Sequence, residues 1–184
     1  DQPSRNMQRI LGQQDHSVFI ALESIHSKYQ FYIDVFLSGQ MTELEFLESI
    51  QYHDSWRFPW KHYRPIFELA KKNKWKIIGL NTEGNLKNRD LHAADIIADL
   101  TFNHPHYKIF IFYGEYHIIP KHIPLLVEKK IKKAPRYCII YQNLDTPYWK
   151  MTKNKMKSNV IKFNQKEFSI QSSPPWIKYQ SFIH

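Results

Sequence analysis

The chain has 184 residues, 42% hydrophobic and 15% aromatic, which supports one well-packed core and leaves little room for two independent domains. Its 26 Lys and Arg against 17 Asp and Glu give a net charge of +9, which favours anionic partners, although lysines that simply solvate the surface explain it as well. The single cysteine, Cys138, excludes an internal disulfide and a cysteine-based metal site, and no apolar run reaches the length of a membrane span.

The first 72 residues predict one buried strand among helices. In chain order, the pattern gives a helix over residues 2–11, a strand over 17–22, and helices over 29–37, 43–50 and 60–72. Gly39 ends the second of these helices, Thr42 and Glu45 form a capping box for the third, and Pro59 precedes the fourth. The strand ends at Glu23.

Strands and helices alternate strictly along the next 70 residues. The pattern gives a strand over 76–80, a helix over 89–100, a strand over 107–113, a short basic helix over 119–130 and a strand over 136–142. Strands separated by helices require crossover connections and therefore a parallel arrangement. The predicted fold class is α/β, with a mostly parallel sheet and helices on both of its faces.

The composition changes after Gln142. Residues 143–158 are polar, aromatic and rich in lysine, residues 160–163 are predicted to form a short edge strand, and residues 172–175 form a break of serines and prolines. The lysines are spaced like solvent-facing residues and lack the arginine–aromatic repeat of a nucleic-acid platform, so we expect no nucleic-acid partner. We interpret the chain as a single domain over residues 1–184, with residues 143–184 as a small C-terminal appendage packed on it.

Polar residues follow three of the predicted strands at the points where they end. Glu23 follows the first strand, Asn81 the second, and the segment 114–117 (Gly-Glu-Tyr-His) the third. Parallel strands present their carboxyl ends along one edge of the sheet, where ligands bind. A lone Glu after a strand is more often a helix cap, and a lone His a surface residue, but three strand ends together favour a site.

Five residues near these strand ends could serve a ligand or have only a structural role. Gly114 supplies either a sharp turn or a close approach of the backbone to a ligand. Arg89 is suited to clamp an anion, whereas Asp90 is explained equally well as a charge that stabilises a helix N-terminus. His117 and His122 are five positions apart with Pro120 between them, so they are not a helical metal-binding pair.

The segment 54–63 is dense in aromatic residues, among them Trp56 and Tyr63. The commoner explanation is a hydrophobic staple at the start of a helix, packed on the core. The alternative is an aromatic wall for a large flat ligand.

Together these segments resemble those of a known protein family. The matching pieces are Ala21-Leu22-Glu23, Phe36-Leu37-Ser38-Gly39, Phe46-Leu47, Trp56-Arg57-Phe58, Tyr63-Arg64-Pro65, Ile77-Ile78-Gly79-Leu80-Asn81, Arg89-Asp90 and the Gly-x-x-His motif of residues 114–117. In this order the chain resembles, over residues 2 to about 130, the ChaN-like haem-binding uptake proteins, which share a superfamily with the Tiki proteins and the erythromycin esterases. That family opens with a strand bearing a Gly-Glu-x-His-like motif, and we expect this chain to begin after it.

The resemblance implies haem or iron handling in the bacterial cell envelope, in the periplasm or as an outer-membrane lipoprotein. It implies haem, or another anionic small molecule, as the ligand, along with a homodimer and peripheral membrane association. Haem is flat and apolar, carries two propionates, and takes His or Tyr as an axial ligand of its iron. The candidate haem-binding residues are Trp56, Tyr63, Asn81, Arg89, Gly114, Tyr116 and His117, and Tyr113 is a further candidate axial ligand.

A related arrangement elsewhere in the superfamily implies an alternative, a metal-dependent hydrolase. Glu23 would then act as the general base, and His117 as a metal ligand or acid–base partner. A divalent metal ion would be held by His117 and Glu23, or by Glu115 in place of Glu23. Such an enzyme needs several protein ligands and an open coordination position, so the remaining ligands are expected from the strand that precedes residue 1.

Overall fold

The computed structural model describes residues 17–56, 58–131, 135–154, 159–174 and 176–177. The helix predicted over residues 2–11 lies outside them. The chain divides into two compact units, Asp1–Ala134 and Pro135–His184, and each unit contains one three-stranded sheet. Within the described ranges, no helix has both the length and the apolar character needed to cross a membrane.

The sheet of the first unit is entirely parallel. Its strands are β1 (Val18–His26), β2 (Lys76–Asn81) and β3 (Lys108–Phe112), in the spatial order β2-β1-β3. The central strand β1 begins with five consecutive buried apolar residues, the pattern of a strand covered on both faces. Together with the helices described next, it confirms the predicted α/β class.

The described residues of this unit form six α-helices: α1 (Gln30–Ser38), α2 (Glu43–Ser49), α3 (Tyr52–Ser55), α4 (Arg64–Asn73), α5 (Leu86–Asn103) and α6 (Ile123–Lys130). Gly39 ends α1 with a φ of 84°, a left-handed conformation that glycine adopts without strain. The predicted capping box of α2 is present, since Thr42 Oγ1 accepts from Glu45 N and the Glu45 carboxylate accepts from Thr42 N. Helix α5 begins at Leu86 rather than Arg89.

Helices cover both faces of the sheet, as the sequence predicts. On one face Ile20 and Leu22 belong to an apolar cluster with residues of α1 to α4, including Phe46 and Phe67. On the other face Ala21 packs in a second cluster with residues of α5 and α6. These two layers hold β1 rigidly, so its last residues present their side chains at a fixed edge of the sheet.

An irregularity in β1 lies just beyond Leu22. Leu22 pairs with Gly79, yet the next pairing joins His26 to Asn81, so β1 carries a bulge between Leu22 and His26. A Cβ on Gly79 would lie 2.9 Å from the Ile25 carbonyl oxygen, so only glycine fits against the bulged segment. Glu23, which follows Leu22 directly, lies at the start of the bulge.

The second unit contains a mixed sheet. Its strands are β4 (Ile139–Gln142), β5 (Val160–Lys162) and β6 (Glu167–Ile170), in the order β4-β6-β5, and helix α7 (Asp145–Lys153) follows β4. β6 pairs parallel to β4 and antiparallel to β5. The short edge strand predicted over residues 160–163 is present as β5. The strand predicted over 136–142 is present as β4, which pairs with β6. Strand β6 is not predicted from the sequence, because its four residues show no clear alternation of apolar and polar side chains.

Candidate functional site

Glu23 is the centre of the site at the carboxyl edge of the first sheet. One carboxylate oxygen, Oε1, accepts from the Arg89 guanidinium at 2.7 Å, and the other, Oε2, accepts from the Gly114 backbone N–H at 2.7 Å. Arg89 Nε also donates to Asn81 Oδ1 at 3.1 Å. Charge-assisted bonds of this length fix the carboxylate, with residues from all three strand ends taking part directly or through Arg89.

Asp90 joins two histidines beneath this carboxylate. Its side chain is buried, and its two oxygens accept separately, Oδ1 from His117 Nδ1 and Oδ2 from His122 Nδ1 at 2.8 Å. An ionised carboxylate only accepts, so both imidazoles carry their proton on Nδ1 when neutral. Their Nε2 atoms are then free to accept a proton or bind a metal, and His117 Nε2 faces Glu23 Oε1 at 3.8 Å.

Two tyrosines flank these imidazoles in different environments. The Tyr113 ring lies 4.8 Å from that of His117, and its hydroxyl is buried without a hydrogen bond of normal geometry. Burial, followed by the charge of Glu23, raises the pKa of Tyr113 to about 12, although nearby Arg89 lowers it in part. Tyr116 is 53% exposed and packs on His122, with ring centroids 4.5 Å apart.

The aromatic segment that contains Trp56 and Tyr63 packs mainly on the core. Trp60 is buried, and Trp56 and Tyr63 are partly buried against the first apolar cluster, as the staple interpretation expects. Trp56 Nε1 nevertheless donates to the Tyr63 hydroxyl at 3.2 Å. Burial raises the pKa of Tyr63, the Trp56 hydrogen bond lowers it, and the charge of Glu23 raises it, so this pair lies within electrostatic reach of the site.

The structure therefore brings most of the predicted residues together. Direct contacts join Glu23, Asn81, Arg89 and Gly114, and His117 faces Glu23 closely. The Gly114 N–H donates to Glu23 and its φ is not positive, while a Cβ at this position would make ordinary contacts of 3.4 Å with Glu23 Oε2 and 3.5 Å with His117 Cδ2.

The sequence interpretation missed two members of the site. Asp90 was explained as a charge at a helix N-terminus, but α5 begins at Leu86, which places Asp90 on the buried face of the helix. His122 is excluded as a helical metal-binding partner of His117, and the sequence assigns it no other role. The useful signal was that Asp90, Ala94 and Ile97 recur at helical spacing, so a charge stands on the apolar face of α5.

The donor set for a metal ion is small in the part of the chain that the structure describes. Glu23 is held by Arg89 and Gly114, and His117 and His122 each use Nδ1 to bind Asp90, which leaves one nitrogen, Nε2, on each ring as a donor. No group of three or more His, Cys, Asp or Glu in these ranges is arranged to hold a metal ion.

Among the residues of this cluster, Tyr116 could hold the iron of a haem group. His117 is only 6% exposed and its imidazole faces Asp90 and Glu23, whereas Tyr116 is accessible at the surface of the cluster. A phenolate oxygen is an established axial ligand of haem iron, and Arg89 supplies positive charge nearby for a propionate.

A separate concavity of about 530 Å³ lies at the opposite edge of the sheet. Phe19 at the start of β1, Lys76 at the start of β2 and His104 at the end of α5 line it. It shares no residue with the Glu23 site.

The fold and site define an α/β protein with a buried carboxylate–imidazole cluster and an exposed tyrosine at the carboxyl edge of a parallel sheet. Residues 4–92 match the model of the family described as haem-binding uptake, Tiki superfamily, ChaN. This match confirms, over these residues, the family resemblance predicted from the sequence.

The chain is similar to solved structures of two kinds. The ChaN structure of Campylobacter jejuni, described as binding haem cofacially, has a TM-score of 0.51 and 18% identity over 76% of this chain and 73% of that one. The RRSP effector domain of a Vibrio vulnificus MARTX toxin has a TM-score of 0.45 and 22% identity over 62% of this chain and 24% of that one. A comparison with curated proteins gave no match.

Proposed function

We propose that this protein binds haem at the carboxyl edge of its first sheet and acts in the bacterial cell envelope. The observation that carries the proposal is Tyr116, an exposed tyrosine packed on the His122 ring. Tyr116 lies beyond residues 4–92, which match a haem-binding uptake family and which contain Glu23, Arg89 and Asp90 of the same site. Bound haem would supply an iron atom that takes one axial ligand from the protein. Tyr116 is that ligand in our proposal.

The remaining residues of the site orient Tyr116 and supply charge. Asp90 holds His122, which packs against Tyr116, so the tyrosine ring has a fixed neighbour on one side. Arg89 pairs with Glu23, and its side chain keeps a quarter of its surface exposed. An anionic ligand can therefore reach the Arg89 guanidinium from solvent, because this charge is already partly exposed.

Hemin absorption spectroscopy tests this proposal. We expect added hemin to give the wild-type protein a Soret band, and Tyr116→Phe to shift or abolish that band because the iron loses its oxygen ligand. Tyr107→Phe is the matched control, since Tyr107 stacks on Phe19 at the opposite edge of the sheet. A wild-type protein without a Soret band, or a Tyr116→Phe variant with an unchanged one, would contradict the proposal.

A metal-dependent hydrolase is the second candidate, favoured by the 3.8 Å approach of His117 Nε2 to Glu23 Oε1. Glu23 would act as general base, with a divalent metal ion held by His117 and by residues outside the described ranges. Glu23→Gln separates the two functions. It would leave the Soret band of a haem binder nearly unchanged, whereas it would slow a hydrolase by roughly 10²–10⁴-fold.

The assembly and location of the protein complete the proposal. We propose a homodimer and peripheral association with the membrane, as a periplasmic or outer-membrane protein. The net charge of +9 supports attraction to an anionic membrane surface. Sedimentation of the protein with and without hemin would measure the oligomeric state, and fractionation of cells would measure the location.

A further inference from the structure

Three aromatic rings form a surface cluster in the second unit. Tyr148 and Trp149 lie on α7, and Trp176 packs against both, with ring centroids 5.5 Å from Tyr148 and 6.0 Å from Trp149. Trp149 is 57% exposed and Trp176 is 45% exposed, and Ile177 beside it is similarly exposed. Two half-exposed tryptophans in contact form an apolar surface of a kind that usually marks an interaction site.

The part of the sequence that contains this cluster is rich in positive charge. Over residues 135–184 the sequence has eight Lys and Arg against two Asp and Glu, a net charge of +6 out of +9 for the whole chain. Lys153 follows Trp149 by four positions on α7 and therefore lies on the same helix face, and Lys150 adjoins Trp149 directly. The partner of this surface is therefore expected to be both apolar and anionic.

An anionic lipid surface meets that description better than a nucleic acid does. The plane of Tyr148 is steeply inclined to those of both tryptophans, at 80° and 86°, so the three rings do not form a row of parallel faces on which successive bases could stack. Arg136 is the one arginine in the sequence of this unit, and the rest of its positive charge is lysine. Tryptophan and tyrosine flanked by lysine are typical of segments that lie in the headgroup region of a bilayer.

We propose that the cluster of Tyr148, Trp149 and Trp176, with Lys150 and Lys153, docks the protein on a membrane of anionic phospholipid. The indoles enter the headgroup layer, and the lysines lie against lipid phosphates. This inference deepens the proposed membrane association by giving it a surface, and it is independent of haem binding.

Vesicle co-sedimentation tests the proposal. We expect the wild-type chain to bind phosphatidylcholine vesicles that contain phosphatidylglycerol, to bind pure phosphatidylcholine weakly, and to lose affinity as salt is raised. The variant Trp149→Ala/Trp176→Ala should lose binding to both. Lys153→Gln should weaken binding to the anionic vesicles about fivefold, the effect of one lysine near such a surface.

Phe102→Ala is the matched control, because Phe102 is 78% exposed on α5 of the first unit and its loss should leave binding unchanged. Tryptophan emission of the wild type should shift to shorter wavelength when anionic vesicles are added. This measurement needs no variant, so it does not depend on whether a substituted protein folds. Equal binding by the double-tryptophan variant, equal affinity for neutral vesicles, or binding to single-stranded DNA without binding to vesicles would each overturn the proposal. The same variants should keep the wild-type spectrum with hemin, so a loss of vesicle binding can be told apart from a loss of haem binding.

Discussion

Asp90 is the residue on which the geometry of the site depends. A single buried carboxylate receives the Nδ1–H of two imidazoles, and this fixes both the orientation and the tautomer of His117 and His122. One of these rings then faces Glu23, and the other packs under Tyr116. Both proposed functions therefore use Asp90 as a positioning residue, although it touches neither ligand nor substrate.

Replacing Asp90 with Asn should break this arrangement. The amide can accept from one imidazole through Oδ1, but its NH₂ group then faces the Nδ1–H of the other, which must change tautomer or lose its bond. We expect a loss of about 1–3 kcal/mol in the free energy of unfolding, as for an unsatisfied buried group. Nitrogen chemical shifts of the histidine rings measure the tautomers.

Asp95→Asn on the same helix is the control for this substitution. Asp95 pairs with Lys130, and its side chain is 63% exposed, so its loss should cost about 0–1 kcal/mol and leave the ring shifts unchanged. Ring shifts that stay at their wild-type values in Asp90→Asn would show that the carboxylate does not set the tautomers.

Ionisation of Tyr113 should lower the free energy of unfolding at alkaline pH. Its pKa is 10 in the unfolded chain and is raised to about 12 in the folded one, so the unfolded state releases the phenolic proton first as the pH rises. The contribution of protonated Tyr113 to the free energy of unfolding is fully present below pH 10 and is lost between pH 10 and pH 12. Tyr113→Phe cannot ionise, so the wild type should lose stability relative to this variant across that window, as measured by urea unfolding. If the difference in unfolding free energy between the wild type and Tyr113→Phe stayed constant from pH 10 to pH 12, the raised pKa would be contradicted.

At the scale of the elements, Gly79 controls how β1 and β2 fit together. A Cβ at this position would lie 2.9 Å from the Ile25 carbonyl oxygen and 3.0 Å from that of His26, and backbone atoms cannot move aside cheaply. We expect Gly79→Ala to lower the free energy of unfolding by about 1–3 kcal/mol and to displace the bulge beside Glu23. Urea unfolding measures the first effect and hemin affinity the second.

The control for this substitution is Gly39→Ala. Gly39 has a left-handed φ of 84° and nothing within 4 Å of its Cβ position, so alanine there costs only conformational strain, about 1–2 kcal/mol. Hemin affinity should not change in Gly39→Ala. A Gly79→Ala protein with wild-type stability would show that the bulge can relax around a methyl group.

Local signals explain which elements the sequence could predict. Gly39 determines where α1 ends, and the capping box of Thr42 and Glu45 determines where α2 begins. The apolar run of β1 determines that strand, because burial on both faces requires such a run. The start of α5 was missed because Asn85 caps it through a bond to Asn88 N, a weaker signal than the charged pair Arg89 and Asp90. β6 was missed because its four residues do not alternate clearly.

The site was predictable only in part, for a related reason. Glu23, Asn81 and Gly114 directly follow the strands predicted from the sequence, so the rule for parallel sheets places them at one edge. Asp90 and His122 come from helix α5 and from the loop before α6, and their meeting depends on tertiary packing. Sequence spacing does not encode such a contact.

At the scale of the molecule, charge is distributed unevenly between the two units. Residues 135–184 carry +6 of the net +9, so the first unit is close to balanced while the second is strongly basic. Within the first unit, positive charge at the site comes from Arg89, which pairs with Glu23. Salt should therefore weaken attachment to anionic vesicles much more than it weakens haem binding.

The predicted packing of the C-terminal residues on the rest of the chain can be tested by removing the second unit. A chain that ends at Ala134 lacks the sheet β4-β6-β5 and helix α7. If the second unit packs on the first, the deletion exposes apolar surface and the melting temperature should fall by about 2–4 °C for each kcal/mol lost. Scanning calorimetry of the full chain should then show a single transition. An unchanged melting temperature in the shortened chain, with two transitions in the full one, would show that residues 135–184 form an independent arm.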